Sequence, residues 1–172
     1  MEYQQNSFEG WMSPGELQWL YEKASECVNV IEIGCWMGRS THAFLSGCRG
    51  TVYAVDHFKG SPSEIDTVHV KAKTENIHQI FLSNVGHFPN LVTLKMDSIE
   101  ASKLFGDKWF DMVFIDGDHD YQPVKNDIEA WLPKCKKFFC GHDLAQGGVR
   151  QALTEAGLGF EIVAGSIWMV KL

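Results

Sequence analysis

The chain has 172 residues, of which 45% are hydrophobic and 22% are charged, and its formal net charge at pH 7 is −7. This size and composition predict one globular domain over residues 1–172, since no apolar run approaches the roughly 20 residues that span a bilayer. The acidic balance argues against nucleic acid or an anionic membrane as a partner. The polar N-terminus shows no secretory signal and the 5 cysteines fit reduced thiols, so we expect a cytoplasmic protein.

The first 27 residues are expected to form a helix and a partial lid ahead of a core over residues 28–172. The segment Ser13-Pro14-Gly15-Glu16 is a capping box with proline at the first helical position. It opens an amphipathic helix that carries Leu17, Leu20, Tyr21 and Ala24.

A glycine-containing turn follows the first predicted strand, Val28–Gly34, and leads into a predicted helix, Arg39–Gly47. Glu32 stands near the end of the strand and Gly34 permits a tight turn. Gly38 is expected to let the backbone approach a ligand because no Cβ stands in the way. A strand, a turn and a helix in this order are typical of a site that binds a small ligand.

The residues around these glycines refine that prediction. Ser40 lies at the start of the helix, where free backbone N–H groups face a carboxylate or a phosphate. The spacing G-x-x-x-G lacks the third glycine of a dinucleotide fingerprint. Trp36 and Met37 either cover the ligand or shield the top of the sheet, and the sequence favours neither alternative.

Strand-like and helix-like segments alternate along the rest of the chain, which indicates a parallel sheet with helical crossovers. The predicted strands are Thr51–Asp56, Leu91–Asp97, Phe110–Asp116 and Lys137–Asp143. The predicted helices are Val68–Asn84, Ile99–Phe105, Tyr121–Leu132 and Gly148–Ala156, with an irregular loop over His57–Asp66. Only Gly165-Ser166 separates the last two strands, Phe160–Ala164 and Ile167–Leu172, which should form an antiparallel hairpin. We expect an α/β, Rossmann-like fold whose sheet is mostly parallel, with helices on both faces.

Acidic residues stand at or near the ends of five predicted strands: Glu32, Asp56, Asp97, Asp116 and Asp143. Ligands bind outside the carboxyl ends of parallel strands, near the point where the strand order reverses, so these side chains should meet in one crevice. Asp56 is placed to accept hydrogen bonds from both hydroxyls of a ribose. Glu32 is expected under the glycine turn, where it orders the backbone or reaches an amino group of the ligand.

A second group of residues combines Asp116 with His142 and Asp143 at the end of another strand. Two carboxylates and one nitrogen donor suit a divalent cation, Mg²⁺ or Mn²⁺, that would chelate two vicinal oxygens of a substrate. His119 lies three residues past Asp116 and is placed as a general base, since histidine titrates near neutral pH. Alternatively, His119 is not a base and only flanks a helix, and His142 is not a metal ligand and only supports its neighbours.

These segments resemble a group of small class I S-adenosylmethionine (SAM) methyltransferases. The group includes macrolide-sugar and aminocoumarin O-methyltransferases and cephalosporin-hydroxylase-like proteins. The resemblance covers about residues 28–172. It rests on Glu32-Ile33-Gly34-x-Trp36-x-Gly38-Arg39-Ser40, Asp56-x-Phe58-Lys59-Gly60-Ser61-Pro62, Phe114-Ile115-Asp116-Gly117-x-His119-x-Tyr121 and Gly141-His142-Asp143.

The resemblance implies a seven-stranded methyltransferase sheet and SAM as the methyl donor, with Asp97 and Ser98 beside its adenine ring. The implied SAM-binding residues are Glu32, Gly34, Trp36, Gly38, Ser40, Asp56, Asp97, Ser98 and Asp116. Asp116 and Asp143 correspond to metal ligands, and the implied catalytic residues are His119, as the base, and Asp116. His142 stands where magnesium-dependent relatives often carry an acidic residue, which favours manganese, iron or zinc.

We therefore expect a SAM-dependent O-methyltransferase, assisted by a divalent metal, that acts on a hydroxyl of a small molecule or sugar. One alternative is a SAM-binding protein without transfer activity. Another is a nicotinamide-dependent oxidoreductase, which the missing third glycine and the terminal hairpin disfavour. The acceptor pocket is expected to be open, to be completed by a second subunit of a homo-oligomer, or to suit a large acceptor such as a glycan.

Overall fold

The computed structural model describes residues 2–61 and 67–172. Its strands are β1 (Asn29–Ile33), β2 (Thr51–Val55), β3 (Leu91–Leu94), β4 (Phe110–Ile115), β5 (Cys135–Gly141), β6 (Glu161–Ala164) and β7 (Ile167–Lys171). They form one sheet in the order β3-β2-β1-β4-β5-β7-β6. The first five strands are parallel, and β7 runs antiparallel to both β5 and β6. This confirms the predicted sheet with its closing hairpin.

The helices are α1 (Pro14–Ala24), α2 (Arg39–Gly47), α3 (Thr67–Thr74), α4 (Ile77–Val85), α5 (Ser98–Ser102), α6 (Tyr121–Trp131) and α7 (Gly147–Glu155). None of the helices in the described part of the chain is long and apolar enough to cross a membrane. The last residues of the predicted loop, 62–66, lie outside the described residues.

The single helix predicted over Val68–Asn84 is wrong, because the chain forms two helices there. Asn76 caps α4, and its side chain accepts a hydrogen bond from the N–H of Gln79 at 3.1 Å. The backbone of Asn76, with φ −85° and ψ 84°, has left the helical region. An asparagine that bonds the backbone in this way favours a helix start over a helix interior, which explains the break.

Apolar side chains cover both faces of the sheet, because successive residues of a strand point to opposite sides. Val30 and Phe114 face a cluster that contains residues of α1, α2 and α4. Ile31 and Val113 face a second cluster that contains residues of α6 and α7. The sheet is therefore buried between two helical layers, and its carboxyl edge remains open for a site.

The strand order reverses between β1 and β4, and the chain is tightly packed at this point. Gly34 follows β1 with a φ of +84°, and a Cβ at this position would overlap the backbone oxygen of Asp116. The N–H of Asp116, just past β4, donates to the carbonyl of Ile33 at 2.8 Å. Gly34 therefore allows the two strand ends to lie side by side, and Asp116 emerges at the reversal point.

Candidate active site

A cavity of about 950 Å³ opens at the carboxyl ends of the parallel strands. This volume lies near the upper end of the usual range for ligand pockets, about 300–1,000 Å³. The predicted site residues that line it are Gly34, Trp36, Ser40, Asp56, Asp97, Ser98, Asp116, His119, His142 and Asp143. Most of the residues singled out in the sequence thus meet in one crevice, while Glu32 and Gly38 lie beneath it.

Asp56 follows β2 and holds the glycine turn. Its Oδ2 accepts hydrogen bonds from the N–H groups of Cys35 at 3.0 Å and Trp36 at 2.9 Å. Its Oδ1 accepts one from the N–H of Phe58 at 2.5 Å. Since a carboxylate offers about four acceptor positions, Asp56 keeps about one for a ligand. The sequence predicted the ribose contact but not this second role of fixing the turn.

Trp36 and Met37 have different surroundings. Trp36 lines the cavity, with a left-handed φ of 44° and a ring centroid 6.1 Å from that of Trp11. Met37 is buried in the core, and its carbonyl accepts a hydrogen bond from the side chain of Asn84 at 2.8 Å. Trp36 is thus the one that faces the cavity, and Met37 shields the sheet.

Glu32 is fully buried and turned towards the first turn of α2. Its two carboxylate oxygens accept hydrogen bonds from the hydroxyls of Ser40 and Thr41, both at 2.5 Å. Burial raises the pKa of Glu32 to about 8, although the two hydroxyls oppose the shift. Glu32 therefore orders the start of α2, a role that the sequence did not predict.

The raised pKa of Glu32 predicts a pH-dependent stability. Below about pH 4.5 the carboxyl of Glu32 is protonated in both the folded and the unfolded chain. Above pH 4.5 the unfolded chain releases this proton while the folded chain keeps it. The free energy of unfolding therefore falls with rising pH until the pH passes the folded pKa of about 8. Relative to Glu32→Gln, the wild-type chain should lose on the order of 3 kcal/mol of unfolding free energy between pH 5 and 8. Urea unfolding, followed by tryptophan fluorescence, measures both proteins at each pH. A difference that stays constant with pH would contradict this prediction.

Gly38 precedes α2 and packs against α4. Its φ is +90°, and a Cβ built there would lie 3.2 Å from both γ-carbons of Val85 and 3.3 Å from the ring of Phe81. A contact between the backbone of Gly38 and a ligand stays a prediction. The position favours glycine because the left-handed turn packs directly on α4.

Asp97 and Ser98 mark the start of α5 and line the cavity. Oδ1 of Asp97 caps the helix by accepting from the N–H groups of Ile99 at 2.9 Å and Glu100 at 3.4 Å. The hydroxyl of Ser98 donates to Asp127 and accepts from the indole N–H of Trp131 at 2.9 Å. The predicted adenine-side residues are thus held in place by a helix cap at Asp97 and by hydrogen bonds from Ser98 to α6.

Asp116, His142 and Asp143 form a cluster whose possible ligand atoms lie within 4.8 Å of one another. Burial raises the pKa of Asp116 to about 7; the charge of His142 opposes this shift and that of Asp143 supports it. Burial alone would lower the pKa of His142, but Asp143 and Asp116 outweigh it and raise this pKa to about 9. The pKa of Asp143 is lowered, since hydrogen bonds from His119 and His142 outweigh its burial.

The distances within this cluster indicate which of its side chains could bind a metal ion. Nδ1 of His142 lies 3.0 Å from Oδ2 of Asp143, and Nε2 lies 2.9 Å from Oε1 of Glu16. His142 would become a ligand only if Nδ1 turned away from Asp143. The carboxylates of Asp116 and Asp143, by contrast, are oxygen donors of the kind that Mg²⁺ and Mn²⁺ prefer. The site thus fits a cation held by two carboxylates, with His142 behind them.

His119 lies beside this cluster at the wall of the cavity. Its Nε2 is 3.0 Å from Oδ2 of Asp143, and 24% of its side chain is exposed. A carboxylate at this distance stabilises the positive charge that an imidazole acquires when it takes up a proton. The arrangement is chemically suited to proton removal from a molecule in the cavity.

The segment Glu9–Met12 supplies another wall of the cavity. Arg39, at the start of α2, holds it by donating from Nε to the carbonyl of Met12 at 2.9 Å and from Nη1 to that of Phe8 at 2.7 Å. A Cβ on Gly10 would overlap the side chain of Arg39. The sequence predicted a partial lid here, but no motif pointed to Arg39 as its anchor.

The chain matches the methyltransferase-domain family over residues 31–138, which is more than half of its length. It belongs to this family. The matched stretch contains the glycine turn, Asp56, Asp116 and His119, whereas Glu16, His142 and Asp143 lie outside it. No curated protein matches the chain in sequence.

Solved structures share the fold of this methyltransferase domain. Cofactor-bound Rv0187 from MTB has 16% identity and a TM-score of 0.66, with 89% of this chain and 77% of that chain covered. SAH-bound PaMTH1, a methyltransferase from Podospora anserina, has 16% identity and a TM-score of 0.61, with 90% and 76% covered. Precorrin 8w decarboxylase from Methanobacterium thermoautotrophicum has 16% identity and a TM-score of 0.60, with 99% and 96% covered. Likeness at this identity shows the fold and not the reaction.

Proposed function

We propose that this methyltransferase transfers the methyl group of SAM to a hydroxyl oxygen of a small molecule or sugar. The observation that carries the proposal is the meeting of two groups of residues in one cavity. The anchored glycine turn, Asp56 and Asp97 suit a nucleoside, and Asp116, His119 and Asp143 suit the activation of a hydroxyl. The cavity volume of about 950 Å³ supports the binding of two molecules side by side.

In the proposed reaction, Asp56 and Asp97 hold the adenosine part of SAM. His119 takes the proton of the acceptor hydroxyl while Asp143, at 3.0 Å, stabilises the charge on the ring. The acceptor oxygen forms a bond to the methyl carbon as the carbon–sulfur bond breaks, and S-adenosylhomocysteine (SAH) leaves. Asp116, beside Gly34 at the reversal point, lies next to the reacting groups.

A divalent cation is part of the proposal, with Asp116 and Asp143 as its protein ligands and His142 supporting Asp143. Such an ion, when bound, lowers the pKa of a coordinated hydroxyl and orients it. The two carboxylates gain from the ion because they otherwise repel each other in a partly buried site.

Two measurements test the proposed function. Isothermal calorimetry with SAH should show binding to the wild-type chain. Tritiated SAM should then label an acceptor in a panel of vicinal diols that includes catechol and simple glycosides. Binding without transfer to any of them would favour a SAM-binding protein that has no transfer activity, and no heat with either SAM or SAH would contradict the proposal.

Removal of divalent ions should slow transfer about 100-fold, which is a rise of about 3 kcal/mol in activation free energy, because the acceptor is then less acidic and less well oriented. Dialysis against EDTA, followed by addition of Mg²⁺ or Mn²⁺, measures this effect. Asp116→Asn should abolish the response to the ion. Asp118→Asn is the matched control, since Oδ1 of Asp118 accepts a hydrogen bond from the nearby N–H of Asp120. Equal rates in EDTA and in Mg²⁺ would contradict the metal assignment.

A further inference from the structure

Glu16 connects the N-terminal helix to the candidate active site, a role that neither its motif nor the family match assigns. It occupies the third position of α1 and completes the capping box with Ser13. Only Oε2 serves the cap, by accepting from the N–H and the hydroxyl of Ser13 at 2.8 and 2.7 Å. Oε1 points away from the cap and is used elsewhere.

The second oxygen of Glu16 joins two distant parts of the chain. Oε1 accepts from the N–H of Ser166, in the turn between β6 and β7, at 2.8 Å. It also lies 2.9 Å from Nε2 of His142, which follows β5. Both side chains of this pair are only 6% exposed. A helix cap does not require its carboxylate to be buried. Because a buried carboxylate is costly unless it is well paired, the cap alone does not explain why Glu16 is buried against His142.

The turn between β6 and β7 is shaped to admit this carboxylate. Gly165 has a φ of +50°, and a Cβ there would overlap Oε1 of Glu16. The glycine therefore leaves the space in which Glu16 reaches both Ser166 and His142. The contact is built by three separate segments, which a chance surface pairing would not require.

His142 in turn contacts Asp143, and Asp143 contacts His119. Nδ1 of His142 lies 3.0 Å from Oδ2 of Asp143, and the same Oδ2 lies 3.0 Å from Nε2 of His119. Asp143 has a left-handed φ of 55°, a strained conformation that its surroundings must hold. Four side chains thus form an unbroken line from α1 to the cavity wall.

We propose that Glu16 is a positioning residue that, through His142 and Asp143, fixes the orientation of the His119 ring at the cavity. Groups that hold a functional side chain from behind commonly limit its orientation in this way. The proposal rests on the proposed function only for the part that His119 plays in proton transfer. The competing outcome is that Glu16 merely joins α1 to the β6–β7 turn and leaves His119 unaffected.

The test uses the full chain labelled with ¹³C-histidine and compares the ring signals of His142 and His119, assigned with His142→Asn and His119→Asn. Glu16→Ala should shift the signals of both rings and broaden those of His119. Ser13→Ala is the matched control, because it removes a hydroxyl contact to Oε2 and leaves Oε1 on His142; it should leave both rings unchanged. Signals of His119 that stay at their wild-type positions while those of His142 move would overturn the proposal.

Glu16→Gln keeps the test decisive if Glu16→Ala fails to fold. A glutamine can present its oxygen either to His142 and Ser166 or to Ser13, but not to both sides at once. Its His119 signals should therefore lie between those of the wild-type chain and the alanine variant. Signals of His119 identical to wild type in Glu16→Gln, with those of His142 shifted, would again overturn the proposal.

Kinetics supply a readout that a merely structural role would not move. With an acceptor found in the diol panel, Glu16→Ala should lower kcat about 10- to 100-fold and leave the KM for SAM within about twofold. A rise in KM alone would contradict the proposal. If the wild-type chain binds no SAH, the proposed function fails by itself, and the comparison of ring signals still decides whether Glu16 positions His119.

Discussion

His119→Ala is expected to slow methyl transfer by about 10²–10⁴-fold, because the acceptor hydroxyl then loses its proton acceptor in the transition state. The affinity for SAH should not change, since His119 follows β4 whereas Asp56 follows β2, and β1 lies between these two strands. Single-turnover measurements with tritiated SAM give the transfer rate, and calorimetry with SAH gives the affinity.

His87→Ala is the matched control for this substitution. His87 is an exposed histidine just past α4, and its ring packs on Phe88 rather than on the cavity. Its loss should leave both the rate and the affinity at wild-type values. A transfer rate in His119→Ala equal to that of the control would show that another group, such as Asp116, takes the proton.

The second large effect is expected at Asp56. In Asp56→Asn an amide –NH₂ replaces one carboxylate oxygen and faces backbone N–H donors, either those of Cys35 and Trp36 or that of Phe58. The unpaired donors should loosen the glycine turn and weaken SAH binding about 10- to 100-fold. Calorimetry with SAH measures the affinity, and urea unfolding should show a loss of about 2 kcal/mol.

Asp118→Asn provides the comparison for this change as well. Asp118 lines the same cavity, but its only described hydrogen bond is local, to the N–H of Asp120 at 2.9 Å. The control should bind SAH as the wild-type chain does. Equal affinities for Asp56→Asn and Asp118→Asn would mean that the turn does not need the carboxylate and that Asp56 contributes little to the ligand site.

Several features of the site were readable in the sequence because they depend on local patterns. Alternating strands and helices predict a parallel sheet, and the carboxyl ends of its strands must share one edge. Asp56, Asp97, Asp116 and Asp143 therefore meet there, as the lining of the cavity confirms. The separation of the last two strands by Gly165-Ser166 was enough to predict the hairpin.

One error arose where a local signal was present but was given the wrong weight. Asn76 is a good N-cap, and it ended one helix and began another inside the stretch predicted as continuous. Gly38 was predicted to contact the ligand because of its spacing from Gly34, and this contact stays a prediction. Its left-handed φ and its packing on Val85 show that it serves the contact between the turn and α4.

Sequence alone determined the order of the elements, the edge of the sheet that carries the site and most of the residues there, because strand periodicity and turn chemistry are local. Only the tertiary structure decided which carboxylates accept hydrogen bonds from backbone N–H groups, which face the cavity and which pair with histidines. Glu16 and His142 are separated by 126 positions, and no periodic pattern relates them. They meet because the helix packs against the end of the sheet and a glycine in the terminal hairpin leaves room for a buried carboxylate.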